Sequence, residues 1–230
     1  FIRKYLANKV VYQSNFIERW WNDRFGLIKN SSVIVNGSTF YDGTKIVHDK
    51  EMGICLTCIE GTIQNDLVTS KILESLDRDL HKIKGVDSIE IFGNYSNFEG
   101  ISNLKNISFN GVLPRNKMKQ TLNAKKRIFF LLELNPPCPN SMIEALCLGI
   151  PCIGFKSGSF EELLLDAGTS IPYDGDVWKL EIPNLDDMVE QISSISENYE
   201  VFSDKALQIA HKYDAEIMSN KYLKLIQELL

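Results

Sequence analysis

Three prolines and a glycine dictate what the middle of this chain can become. Residues 128–132 form an unbroken apolar run, the pattern of a strand buried on both faces. Pro136, Pro137 and Pro139 then forbid regular structure. Ser141 and Glu144 have the spacing of a helix capping box, Gly149 ends that helix, and Pro151 stops any continuation. Residues 152–155 are the next apolar run, and Gly158-Ser159 opens another helix. Strand, loop and helix, twice over, is the unit of a parallel α/β sheet. The loops leaving such strands enter helices along one edge, where unpaired backbone N–H groups make a place for a phosphate. Those at Asn140, Ser141 and Met142 and at Gly158, Ser159 and Phe160 are the candidates. The bland alternative is that Ser141 and Ser159 simply cap their helices, and a cap satisfies only one or two of the free donors.

The same alternation extends in both directions. Residues 9–12 read as a strand and 14–24 as an amphipathic helix with Phe16, Ile17, Trp20 and Trp21 on its apolar side. Residues 33–35 are a short strand closed by the turn signal Asn36-Gly37, and 42–50 are polar, a hinge or hairpin. Residues 53–59 form a strand, and Ile72, Leu73, Leu76, Leu80 and Ile83 recur at helical spacing. Further strands fall at 89–92 and 107–109, and a short helix covers 115–122. Asn184 is placed to cap a helix carrying Leu185, Met188, Val189 and Ile192, and 203–230 read as a helical tail. The fold class is α/β, a doubly wound parallel sheet.

Composition narrows the partners. With 44% hydrophobic and 24% charged residues, the chain has the makings of a packed core. A net charge of −5 argues against nucleic acid. The basic run Lys125-Lys126-Arg127 reads as a solvated sheet edge. The longest apolar run is far short of a membrane span and no secretory segment opens the chain, so a cytoplasmic setting is expected. Five cysteines, an odd number without regular spacing, fit a reducing compartment. Cys55 and Cys58 form a CxxC, but within an apolar strand where that spacing sends the thiols to opposite faces. His48, His81 and His211 adjoin no motif, so neither a metal site nor a catalytic histidine is expected.

Several segments, in chain order, resemble one enzyme family. Glu144-Ala145-Leu146-Cys147-Leu148-Gly149-Ile150-Pro151 and the following Ser157-Gly158-Ser159-Phe160-Glu161-Glu162-Leu163 resemble the donor-binding half of retaining GT-B glycosyltransferases of family four, or group one. The likeness continues upstream at Asn106-Ile107-Ser108-Phe109-Asn110-Gly111-Val112, at Val33-Ile34-Val35-Asn36-Gly37 and at Tyr12-Gln13-Ser14-Asn15-Phe16. It implies a Rossmann-like GT-B C-terminal domain with N-terminal remnants of the second domain. Residues 1–40 would end the acceptor domain and linker, 41–200 would bind the donor, and 201–230 would cross back as C-terminal helices. The implied reaction moves a hexose, with retention, from a nucleoside diphosphate sugar to a saccharide or lipid-linked acceptor. It needs no metal or other cofactor and no side-chain nucleophile. Glu144 would accept hydrogen bonds from the ribose and Val112 would join the donor contacts; Lys156, at the C-terminal end of a predicted strand, is the candidate substitute for the family's diphosphate-binding cations. The chain would be inactive alone, and any peripheral membrane contact would run through the missing N-terminal domain.

Two departures from that pattern stand out. The family pairs Glu144 with a second Glu eight positions earlier, where this chain has Pro136. The family also places an Arg and a Lys after the first strand of the domain. Here residues 58–66 read Cys-Ile-Glu-Gly-Thr-Ile-Gln-Asn-Asp, with no cation. A second reading therefore stands beside the first: a non-catalytic GT-B-like module with a degenerate donor site, binding a nucleotide or a partner protein.

Overall fold

Parallel pairing organises the chain from its first strand in the computed structural model, which describes residues 2–44, 48 and 52–230. Helix α1 (Ile2–Tyr5), strand β1 (Val10–Tyr12), helix α2 (Asn15–Phe25) and strand β2 (Ser31–Val33) come first, with β1 and β2 paired in parallel. Strand β2 lies two residues earlier than the Val-rich run suggested, because Val10–Tyr12 is in register with Ser31–Val33. Ser14 fixes the start of α2. Its Oγ accepts from the Ile17 amide at 3.2 Å and donates to the Pro137 carbonyl at 2.6 Å, tying this piece to the proline loop. The hinge or hairpin expected at 42–50 lies mostly outside the described residues.

The main sheet holds β3 (Ile54–Thr62), β4 (Val86–Asn94), β5 (Ile107–Phe109), β6 (Arg127–Leu131), β7 (Cys152–Phe155) and β8 (Gly168–Ile171). Their order is β5-β4-β3-β6-β7-β8, every neighbour parallel. Numbered from β3 as the first strand, that order is 3-2-1-4-5-6, the doubly wound arrangement. Helices α3 (Leu67–Asp79), α4 (Arg115–Asn123), α5 (Asn140–Cys147), α6 (Phe160–Leu164), α7 (Met188–Glu197), α8 (Tyr199–Ala210) and α9 (Ala215–Gln227) complete the chain.

Strand β6 shows why both faces are covered. Ile128 and Phe130 join a core layer with Leu56, Ile72, Leu76 and Ile192. Phe129 and Leu131 point the other way, into a layer with Met142, Leu146, Phe160 and Ala206. Each large side chain so buried contributes roughly 1.5–3 kcal/mol, which is what the unbroken apolar runs supply.

Two expectations need correction. The run at 125–127 is no solvated edge: Arg127 opens a central strand and is 1% exposed. Asn184 does not cap α7. Its Oδ1 accepts from the Asp186 amide at 2.9 Å in a local turn, and the helix begins at Met188. The tail is helical as expected, in two pieces, α8 and α9. A 3-10 turn at His211–Tyr213 buries Tyr213, and Asp214 then caps α9 by accepting from the Glu216 amide. At this break the tail meets the end of the N-terminal segment, with Ser38 N donating to Tyr213 O at 2.7 Å and Ala215 N to Ser38 O at 3.3 Å. The thiols of the CxxC are both buried: Cys58 packs in the first core layer, and Cys55 Sγ lies 3.6 Å from Arg127 Nη1. Among the described residues, no helix is long and apolar enough to cross a membrane.

Candidate functional site

In a doubly wound sheet the connections leave in opposite directions on either side of one strand pair. Here that pair is β3 and β6. Their carboxyl ends cannot both be covered by the same crossover, and a cleft opens there. Strand β3 delivers Glu60 and Gly61 to its floor, and the exit of β6 delivers Glu133. Gly93, at φ +145°, lets the end of β4 come close, since a Cβ there would run into the Glu60 carbonyl.

The cleft encloses about 370 Å³, and Glu60, Glu133, Val112, Arg115, Ser141 and Glu144 are on its walls. A second hollow of about 460 Å³ shares Glu60, Gly61 and Glu133 and extends toward Gln64 and Leu180. The charge balance is acidic. Burial, followed by the neighbouring Glu133 carboxylate, pushes Glu60 up to about 7, and the amides of Leu132 and Glu133 draw it partly back. Glu60 Oε1 is buried with no hydrogen-bond partner. Burial also raises Glu133. It raises Glu144 too, against the opposing pull of Arg115.

The expected capping box does not form. Helix α5 starts two residues early, at Asn140, with Pro139 rather than Ser141 in the cap position and no side-chain cap bond. Asn140 Oδ1 instead accepts from Asn36 Nδ2 at 2.8 Å. Ser141 is thereby moved inside the helix, and the Glu144 carboxylate turns to Arg115, with Oε1 2.8 Å from Nη2. The Ile143 amide bonds back to the Pro139 carbonyl at 3.2 Å, so the amides of Asn140, Ser141 and Met142 fall outside the helical ladder. The Met142 side chain is fully buried core.

Of the residues singled out from sequence, the cleft gathers Asn140, Ser141, Glu144 and Val112. Lys156, Gly158 and Ser159 line neither this cleft nor the adjoining hollow. Gly158 and Ser159 fasten the proline loop. Ser159 caps nothing; its amide and hydroxyl both donate to the Pro136 carbonyl at 2.9 Å. The Phe160 amide donates to Ser157 O. Gly158, at φ +59°, lies against Asn135 and Pro136 too closely for any Cβ. Lys156 pairs with Glu161 at 3.2 Å rather than facing the cleft.

Arg115, Glu60 and Glu133 are the wall residues that sequence reasoning passed over as functional. Arg115 did carry a signal. A cation at the first position of a helix opposes the helix dipole, so it needs a reason to be there, and Glu144 is that reason. Glu162 was also missed: its carboxylate accepts from the Asn15 amide at 2.7 Å and the Phe16 amide at 3.0 Å, joining α2 to α6.

No protein-family model and no curated protein matches the chain. Solved structures do share its fold. A glycosyltransferase from Rickettsia africae superposes with a TM-score of 0.71 at 16% identity, over 96% of this chain and 63% of that one. The lipopolysaccharide outer core galactosyltransferase WaaB gives 0.70 at 17%, over 97% and 63%. Anabaena Alr3699/HepE, solved in complex with UDP-glucose, gives 0.71 at 13%, over 99% and 65%. The chain thus spans less than two thirds of each of these proteins. Its fold, a six-stranded parallel sheet flanked by helices, is that of a Rossmann-like GT-B C-terminal domain.

Proposed function

We propose that this chain is the donor-binding portion of a glycosyltransferase that uses a nucleoside diphosphate sugar. One observation carries the reading: at the switch point of the sheet, Glu144 and the first residues of α5, Asn140 and Ser141, line one cleft. A carboxylate is a suitable acceptor for two ribose hydroxyls, and a helix start is a suitable cradle for phosphate. Fold neighbours that include a galactosyltransferase and a UDP-glucose complex support the same chemistry. The finer assignment follows the sequence resemblance: a family-four enzyme transferring a hexose with retention to a saccharide or lipid-linked acceptor. In it, residues 1–40 end the acceptor domain, 41–200 bind the donor and 201–230 cross back. The resemblance implies no metal, the departing diphosphate being stabilised by helix dipoles and positive charge. Acceptor and catalytic groups would come partly from the other domain, and the setting would be cytoplasmic.

The acidity of the cleft favours a second reading, a nucleotide- or partner-binding module without transferase activity. Glu60 and Glu133 stand together at the switch point, and Pro136 replaces a donor-sugar contact. Calorimetric titration of the chain with UDP, GDP and ADP and their glucose conjugates, followed by a donor-hydrolysis assay on the longer protein, separates the two. Binding with turnover supports the transferase. Binding without turnover supports the module, and binding of none of these ligands removes the donor-site reading.

A further inference from the structure

A diphosphate carries more charge than the amides of one helix start neutralise, and this cleft already holds three carboxylates. Among the described residues of its wall, Arg115 is the one cation. It is committed to Glu144, at 2.8 Å, and its Nη2 also lies 3.3 Å from Ser38 Oγ. Both commitments are weak. The Arg115 side chain is 58% exposed, so the ion pair is screened by water, and the Ser38 contact is long. The guanidinium stacks over the Phe40 ring at 5.2 Å, which holds its planar fork at the rim of the cleft.

We propose that Arg115 is the phosphate-binding residue of this cleft, moving from Glu144 onto the donor's diphosphate when the nucleotide enters. This rests on the donor-site reading above and adds to it the identity of the compensating cation. The exchange is balanced in charge. The ribose hydroxyls replace the guanidinium as donors to Glu144, while the phosphate oxygens replace Glu144 as acceptors for Arg115. Neither carboxylate nor guanidinium is left unpaired at either stage. Planar guanidinium geometry suits two phosphate oxygens at once, which an ammonium does not match. The arrangement also gives an ordered selectivity. A nucleoside alone competes with Arg115 for Glu144, whereas a diphosphate draws Arg115 away and frees the carboxylate for the ribose.

The test compares each nucleoside with its diphosphate: uridine with UDP, guanosine with GDP and adenosine with ADP, titrated into the chain and into its Arg115→Met and Arg115→Lys variants. For at least one base the parent chain should prefer diphosphate over nucleoside by roughly 10–100-fold, the scale of a bidentate charge-assisted contact. Arg115→Met should bring that ratio close to one while leaving nucleoside binding equal or tighter, since Glu144 is no longer occupied. Arg115→Lys, which keeps the charge without the fork, should lie between and serves as the measure if the methionine variant folds poorly. A ratio unchanged in both variants overturns the proposal. So does equal loss of nucleoside and diphosphate, which would make Arg115 a prop for Glu144 and leave the donor-site reading standing. If the parent chain binds none of the six ligands, the donor-site reading fails, and this proposal fails with it.

Discussion

Arg127 reaches across β3 to place Nη1 2.8 Å from Glu90 Oε2 on β4, passing Thr57 Oγ1 at 2.7 Å on the way. The guanidinium is closed over by the sheet, and its Nη2 donates to the Thr121 carbonyl at 3.1 Å. Burial alone would raise Glu90, but Lys125 and Arg127 together overcome it and hold the carboxyl below its ordinary value. Three adjacent strands are thereby locked in register by one side chain.

Removing that side chain should be expensive. Arg127→Met takes one of two cations from Glu90 and leaves Thr57 facing an apolar group. Breaking a buried pair costs about 3–5 kcal/mol, and Lys125, 2.6 Å from Glu90, should keep the loss near the low end. Urea unfolding of the variant should show this, and Arg127→Met combined with Glu90→Gln should recover part of the loss. The sign of the pH dependence is also set. A carboxylate whose folded pKa is depressed contributes stability above its ordinary range and loses it as pH falls through the folded value. This acid-side loss should shrink in Arg127→Met. A single variant within about 1 kcal/mol of the parent would refute the assignment.

Glu60 gives the opposite pH dependence. Its ordinary value of 4.5 rises to about 7 in the folded chain, so the folded state retains a proton that the unfolded state releases. Stability from this group is fully present below 4.5 and is lost as pH rises through about 7, by on the order of 3 kcal/mol. Glu60→Gln should remove that slope, leaving the variant more stable than the parent at pH 8 and close to it at pH 4. Thermal melts across that range measure it. Parallel curves for parent and variant would rule the shift out.

How much of this was legible in the sequence depended on the distance over which each residue finds its partner. The run from Ile128 to Leu131 was legible because burial on both faces needs only local apolarity. The proline loop and the start of α5 were legible to within two residues, since proline acts on its own backbone. Arg127 was misread because a cation opening a strand looks solvated until Glu90, 37 residues away, is brought beside it. Glu144 was ambiguous for the same reason. Its capping partner Ser141 is three residues off and visible, whereas Arg115, at the start of α4, is brought beside it only by the fold. The phosphate candidates at Gly158 and Ser159 looked like those at Asn140 and Ser141. What separated them was Pro136, whose carbonyl takes both Ser159 donors.

Gly158 is where that loop is most brittle. At φ +59°, with Asn135 and Pro136 against its Cα, an added methyl group has neither a relaxed backbone nor room. Gly158→Ala should cost more than about 1 kcal/mol from conformation alone, and the clash adds to it. Because the loop also holds the Pro137 carbonyl bonded to Ser14, the strain should loosen α2 from the sheet. Hydrogen exchange at the amides of Asn15 and Phe16, which donate to Glu162, should speed up in the variant. Unchanged exchange there would break the link between the loop and the N-terminal piece.

The two roles open to Glu144 make different predictions for one substitution. A capping-box glutamate would stabilise the fold by roughly 0.5–1 kcal/mol and leave ligand binding alone. A ribose acceptor would do the reverse. With the carboxylate directed at Arg115 and the cleft, Glu144→Gln should barely move the unfolding midpoint, since its partner is largely exposed and the pair is screened. Nucleoside diphosphate affinity should fall by about 1–3 kcal/mol, the scale of a lost charge-assisted hydrogen bond. The amide keeps one acceptor oxygen, so binding weakens rather than disappears. Both quantities can be read on the same purified variant, by denaturant melt and by calorimetry. A lowered melt with unchanged affinity would return Glu144 to a structural role, whereas intact stability with weakened binding places it on the donor.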